Sequence, residues 1–124
     1  MNIVDSSGWI EYFADSKNSN NFAKPIENTK ELIVPSIILF EVFKKLLTEL
    51  GEDIALTAIA HMQQGKVIDL DQEIALSAAR VSFENKIPMA DSIIYSTAIK
   101  YNATLWTQDE HFQNLKGKIN YFPK

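Results

Sequence analysis

The sequence predicts an α/β fold in which a small, mostly parallel sheet is covered by helices on both faces. Three observations carry this. Short apolar runs, closed by acids, proline or turn residues, alternate with longer stretches of helical periodicity along the whole chain. A length of 124 residues, with no internal repeat, low-complexity tract or linker, suits a single domain over residues 1–124. A hydrophobic content of 46% beside 23% charged residues is that of a soluble globular chain with a real core.

The elements follow in order. Residues 2–5 (NIVD) read as a short buried strand, and SSGWIEYFA continues as a helix with Trp9, Ile10 and Phe13 at helical spacing. Residues 15–20 (DSKNSN) read as a loop, and Phe22, Ala23 and Ile26 as a short second helix. Residues 31–35 (ELIVP) form a second predicted strand. Pro35 and Ser36 open a long helix to Leu50, with proline in the first turn, where its missing N–H costs nothing, and Gly51 as the stop. A helix over 52–64, a strand over 66–70 and a helix over 71–86 come next, the last with Ile74, Ala75, Ala78, Ala79 and Phe83 inward. Pro88 breaks the pattern. Residues 90–101 resume it with Ile93, Ile94, Thr97 and Ala98 inward, followed by the ATLWT strand, a brief helix near 110–115 and an INYF strand.

Composition removes several function classes. The chain has no cysteine, which excludes disulfides, thiolate metal sites and a catalytic thiol. A net charge of −4 argues against holding nucleic acid by bulk positive charge, so such contact needs a local basic patch, a bridging cation or a basic partner. The N-terminus lacks a basic region followed by a long apolar stretch, and the longest apolar run, residues 37–40, is far too short for a bilayer; the chain reads as cytoplasmic. No GxGxxG, P-loop, HExxH or GxSxG pattern is present. His61 has no second ligand one turn away, and His111, in QDEHF, is a lone histidine near the last acids.

The acids are the informative residues. In open α/β sheets, ligands bind beyond the carboxyl ends of the strands. Asp5 ends the first strand, Asp109 lies two residues past ATLWT, Asp91 lies in or just before the first turn after Pro88, and Glu41 sits early in the helix opened by Pro35. Two readings compete at each. Asp5, Asp91 and Asp109 sit where helix N-caps belong. Glu41 has Lys44 and Lys45 at i+3 and i+4 and could pair with them on a solvated face. Asp69 and Asp71, in VIDLDQEI, repeat the strand–acid–helix pattern, so that pattern alone does not select a functional acid.

Taken together, IVDSS, PSIILFEV, MADSIIYSTA and TLWTQDEHF resemble the four acidic motifs of the PIN domain, and more narrowly those of VapC-type toxins from toxin–antitoxin pairs. The resemblance spans nearly the whole chain. It implies a three-layer α/β/α sandwich and a ribonuclease dependent on Mg²⁺ or Mn²⁺. It carries Asp5, Glu41, Asp91 and Asp109 over as the catalytic, metal-binding acids, Asp5 and Asp91 being the direct ligands. Ser6 and Thr107 match small hydroxyl positions that support them. Val42 after the Glu41 acid, where leucine is frequent, and Ser92 after Asp91, where alanine is usual, depart from the pattern without removing a ligand. The implied partners are RNA, a cognate antitoxin lying across the acidic cleft and a second copy of the chain; the long apolar helix over 36–50 offers surface for such contacts.

The chemistry is consistent with the acids. Carboxylates suit Mg²⁺, which keeps several waters. Two carboxylates about 5 Å apart repel by roughly 3 kcal/mol at an effective dielectric of 20, so four in one pocket need a cation or protons. Metal-assisted phosphodiester hydrolysis needs no protein nucleophile. Lys44, Lys45, Lys116 and Lys118 are candidate contacts for the RNA backbone. Two rivals remain at this level: a PIN nuclease of RNA processing without an antitoxin, and a phospho-receiver module. The receiver needs an acidic pair at the first strand end and a lysine at the last, where this chain has Asp5–Ser6 and no lysine.

Overall fold

A computed structural model describes residues 1–124. Five strands and six α-helices alternate: β1 (Asn2–Val4), α1 (Ser6–Ala14), α2 (Ser19–Glu27), β2 (Ile33–Pro35), α3 (Ser36–Leu50), α4 (Glu52–Met62), β3 (Lys66–Ile68), α5 (Gln72–Asn85), α6 (Met89–Lys100), β4 (Thr104–Thr107) and β5 (Ile119–Tyr121). Short 3-10 turns occupy Thr29–Glu31 and Glu110–Phe112. No helix is long and apolar enough to cross a membrane.

Every strand pairing is parallel. β1 pairs with β4 in the register Ile3 to Leu105, β4 with β5 through Leu105 to Ile119, and β2 with β3 through Val34 to Val67. A single parallel bridge between Asn2 and Leu32 sets β2 beside β1. The spatial order is therefore β3-β2-β1-β4-β5. The crossovers from β1 to β3 run one way across this surface, and the chain then returns to β4 on the other side of β1. Right-handed crossovers in opposite directions place their helices on opposite faces, giving the three-layer α/β/α sandwich that the sequence predicts. Accordingly α1 packs on α2 and α3, α3 on α4, and α5 on α6; α3 also touches α6 where the two layers meet.

The core is continuous from face to face. Ile3, Val4, Val34 and Leu105 fill the sheet, with Trp9, Phe22, Ile26, Ile38, Val42 and Ile94 from the helices, all essentially buried. The alternation of the short strands is masked because the sheet is covered on both sides, which is why their apolar runs are nearly unbroken.

Several local expectations need correction. Helix α2 begins at Ser19, inside the stretch read as loop, because the polar run DSKNSN hides an α-helical start whose apolar face only appears at Phe22. Glu31 belongs to the 3-10 turn and β2 starts at Ile33. Pro35 is not in the first turn of α3: with φ −58° and ψ 135° it ends β2 in extended geometry and stands at the cap, so the helix starts at Ser36. On α5 only Ile74 and Ala78 are buried, and Phe83 is 85% exposed, because α6 covers a stripe narrower than the apolar face of the helix.

Candidate functional site

The strand order reverses between β1 and β4, and a crevice opens at such a switch point outside the carboxyl ends of the strands. Asp5 leaves β1 on one side of it. Thr107 ends β4 on the other, with Asp109 two residues on. Helix α3 starts directly from β2 and brings Glu41, while α6 presents Asp91 from its first turn. The contact between α3 and α6 closes the ring.

Asp5 lies deepest, with only 3% of its surface exposed. It is also the N-cap of α1, accepting from the Gly8 N–H at 3.2 Å, so capping and placement in the crevice coincide. Ser7 Oγ donates to its Oδ1 at 2.7 Å and Thr107 Oγ1 to its Oδ2 at 2.9 Å. Burial pushes the carboxyl up to about 7; the three donors pull against this and the charge of Asp109 adds to it. Thr107 Oγ1 in turn accepts the Asp109 N–H at 2.9 Å, so one hydroxyl ties the ends of β1 and β4 together.

Asp91 is not a cap, for Pro88 holds that place; its carboxylate faces the crevice near the positive end of α6. Burial raises its pKa, Asp109 and Glu41 add repulsion, and His111 opposes the shift. Asp109 caps the 3-10 turn by accepting the His111 N–H at 2.9 Å. The His111 ring then reaches back, placing Nδ1 2.8 Å from Asp91 Oδ2 and 3.2 Å from Asp109 Oδ1. Desolvation would lower the imidazole pKa, but the bond to Asp91 and the charges of Asp109, Asp91 and Glu110 outweigh it and raise it.

Glu41 accepts a short hydrogen bond from Ser6 Oγ and makes no ion pair with Lys44 or Lys45. Lys45 pairs instead with Glu49 at 2.8 Å, and Lys44 stands over the Phe40 ring. Ser6 thus orients Glu41 rather than Asp5, whose hydroxyl partners are Thr107 and Ser7.

The four sequence-selected acids therefore face one crevice, together with Ser6 and Thr107. Two participants were weak or invisible in sequence. Ser7 was one serine among many. His111 became informative only once the 3-10 turn folded it back over Asp91. Asp71, the decoy, caps α5 on the surface, where its hydrogen bond to Lys100 holds its carboxyl below the usual range.

None of the four acids forms an ion pair with lysine or arginine; His111 is the one base paired with any of them, at Asp91 and Asp109. A crowded set of carboxylates, two of them with raised pKa values, is a donor set that fits a hard divalent cation. One ligand atom from each of Asp91, Asp109 and His111 lies within 4.8 Å of the others. Beside them a polar cavity of about 600 Å³ is bordered by Gln108, Tyr121 and Lys124.

Comparison with known proteins gives the family and the fold. The model of the PIN domain family matches residues 3–118. No curated protein matches the chain in sequence. Among solved structures, a toxin–antitoxin complex from Klebsiella pneumoniae superposes with a TM-score of 0.82 at 18% identity, covering 100% of both chains. VapBC2 from Rickettsia felis, bound to a DNA fragment from its promoter, gives 0.77 at 18% identity over 96% of each chain. VapC20 from Mycobacterium tuberculosis, a toxin that cleaves the sarcin-ricin loop, gives 0.75 at 15% identity over 91% of this chain and 93% of that one. At such identities the likeness is one of fold.

Proposed function

This chain belongs to the PIN domain family, a family of nucleases, and from that premise we propose that it is a Mg²⁺- or Mn²⁺-dependent ribonuclease, the toxin of a toxin–antitoxin pair. The observation that carries this reading is the convergence of Asp5, Glu41, Asp91 and Asp109 from four separate segments on one crevice without a lysine or arginine to neutralise them.

Asp5 and Asp91 are the proposed direct ligands, with Glu41 and Asp109 completing the shell or orienting water. A bound Mg²⁺ or Mn²⁺ supplies a water of lowered pKa and stabilises charge on the attacked phosphate and the leaving oxygen. The chain supplies position. Thr107, Ser7 and the Gly8 N–H fix both oxygens of Asp5, and Ser6 fixes Glu41. Ser6 and Ser7 hold these carboxylates in place, and metal-assisted hydrolysis needs no protein nucleophile. The cavity bordered by Tyr121 and Lys124 offers room for RNA beside the acids.

The antitoxin reading rests on the solved complexes above and on an apolar groove of about 500 Å³ between α3 and α4, lined by Phe40, Phe43, Leu47 and Leu56. Phe40 also borders a shallow pocket with Glu41, so a peptide seated in the groove can continue toward that acid. Exposed Leu76, Phe83 and Met89 on α5 and α6 offer a second face for a homodimer.

The test is cleavage of mixed RNAs by the purified chain with Mg²⁺, Mn²⁺ or EDTA. Asp5→Asn and Asp91→Asn are each expected to lower the rate roughly a hundredfold or more, the upper end of the loss seen for residues that serve a metal. Full activity in EDTA, or in either variant, rules the reading out.

A further inference from the structure

Resting on the metal-dependent reading of this crevice, we propose that His111 is itself a ligand of the cation and biases the site toward Mn²⁺ over Mg²⁺. The acids alone are a hard oxygen set that discriminates poorly between the two ions. The most compact group of donors in the crevice is, however, the mixed set Asp91, Asp109 and His111. Neighbouring ligands of an octahedral ion with bonds of about 2.1 Å stand about 3.0 Å apart. The separations from His111 Nδ1 to Asp91 Oδ2 and to Asp109 Oδ1, 2.8 and 3.2 Å, straddle that edge. A cation seated among the three would replace the hydrogen bond between His111 Nδ1 and Asp91, with the remaining edge, Asp91 to Asp109, within 4.8 Å.

The ring is carried on a fixed support. His111 follows the Asp109 cap, its own N–H is held by Asp109 Oδ1, and the next residue, Phe112, is fully buried. Imidazole nitrogen favours transition-metal ions, whereas Mg²⁺ favours oxygen and retains its waters. One nitrogen among carboxylates thus selects between two ions of similar charge and coordination number. His61, the other histidine, packs in an aromatic cluster with Trp9, Tyr12 and Phe13 and takes no part.

The experiment is a titration of the metal-free full chain with Mn²⁺ followed by electron paramagnetic resonance, with Mg²⁺ as competitor, in wild type, His111→Ala, His111→Gln and Asp91→Asn. Wild type is expected to bind Mn²⁺ at least about tenfold more tightly than Mg²⁺ and to show nitrogen hyperfine coupling that changes when histidine is isotopically labelled. His111→Ala should abolish that coupling and weaken Mn²⁺ binding about tenfold or more, while altering Mg²⁺ binding less than about twofold. His111→Gln, with its side-chain oxygen, should behave like the alanine variant in its spectrum. The labelling arm uses unmodified protein, so its result holds even where a variant folds poorly. Absent nitrogen coupling in wild type, or unchanged Mn²⁺ affinity in folded His111→Ala, overturns the assignment; if Asp91→Asn still loses the ion, the acidic metal site itself survives. Failure of wild type to bind either cation sinks both.

Discussion

Asp5 shows how one side chain serves structure and site at once, and what that costs. Its carboxyl caps α1 and is also buried, with the charge of Asp109 nearby, so its pKa rises from 3.8 to about 7. The folded chain then holds a proton that the unfolded chain has already released. The corresponding stabilisation is complete below the unfolded value and disappears as pH rises through about 7. Three pK units correspond to on the order of 4 kcal/mol. Unfolding free energies of metal-free wild type should therefore decline relative to Asp5→Asn between pH 4 and 8, and Mg²⁺ or Mn²⁺ should restore the loss at the alkaline end. Parallel stability curves for the two proteins would show that Asp5 is not the group that titrates. Sequence reading reached Asp5 itself. It did not reach Ser7, because a hydroxyl that donates to the residue two places before it has no periodic signature.

At the scale of the element, α1 has to sit against the sheet closely enough for its first turn to hold Asp5. Gly8 permits this. A Cβ there would meet Val4 Cγ1 at 2.6 Å and Phe22 Cδ1 at 2.7 Å, both fully buried side chains with nowhere to retreat. Gly8→Ala is expected to destabilise the chain by about 1–3 kcal/mol through overpacking, read as a lower urea midpoint. It should also lower RNA cleavage by displacing the N–H that Asp5 accepts. An unchanged midpoint would mean that α1 can shift without penalty. Within the sequence, Gly8 in SSGWI is merely a poor helix former; its reason lies in Phe22, which arrives on the next helix. Helix existence and order were legible because periodicity and breakers such as Pro88 and Gly51 are local signals. Burial was less so: Phe83 fits the inward spacing of α5 yet points to solvent, since periodicity gives a face and not the width of what covers it.

For the whole molecule, apolar surface remains uncovered on both helical layers. Phe40 is 61% exposed beside the α3–α4 groove, and Leu47, Leu50, Ile54 and Leu56 extend the patch over α3 and α4. A large aromatic at the centre of an apolar groove is the kind of residue that dominates an interface. On the proposed toxin reading, Phe40→Glu should weaken binding of a cognate antitoxin by roughly 2 kcal/mol, about thirtyfold in titration calorimetry, and leave RNA cleavage by the free chain intact. Unaltered affinity would move the antitoxin to another face. The long apolar helix over 36–50 signalled such a surface in sequence, but not which of its residues would be spared by the core.

By itself the sequence determined the alternation of strands and helices, a parallel sheet covered on both faces, the absence of thiol chemistry, and four candidate acids. These follow from local periodicity, breakers and residue chemistry. The strand–acid–helix pattern could not distinguish Asp5 from Asp71, since both follow a strand and cap a helix, and only the resemblance of the four motifs preferred Asp5. Tertiary structure supplies the physical difference between them. The order β3-β2-β1-β4-β5 brings Thr107 to Asp5 across 102 positions of sequence and buries Asp5 with Asp109 nearby. Asp71 is left on the surface beside Lys100. Desolvation and charge crowding depend on what packs around a carboxylate, and its neighbours in the chain do not specify that.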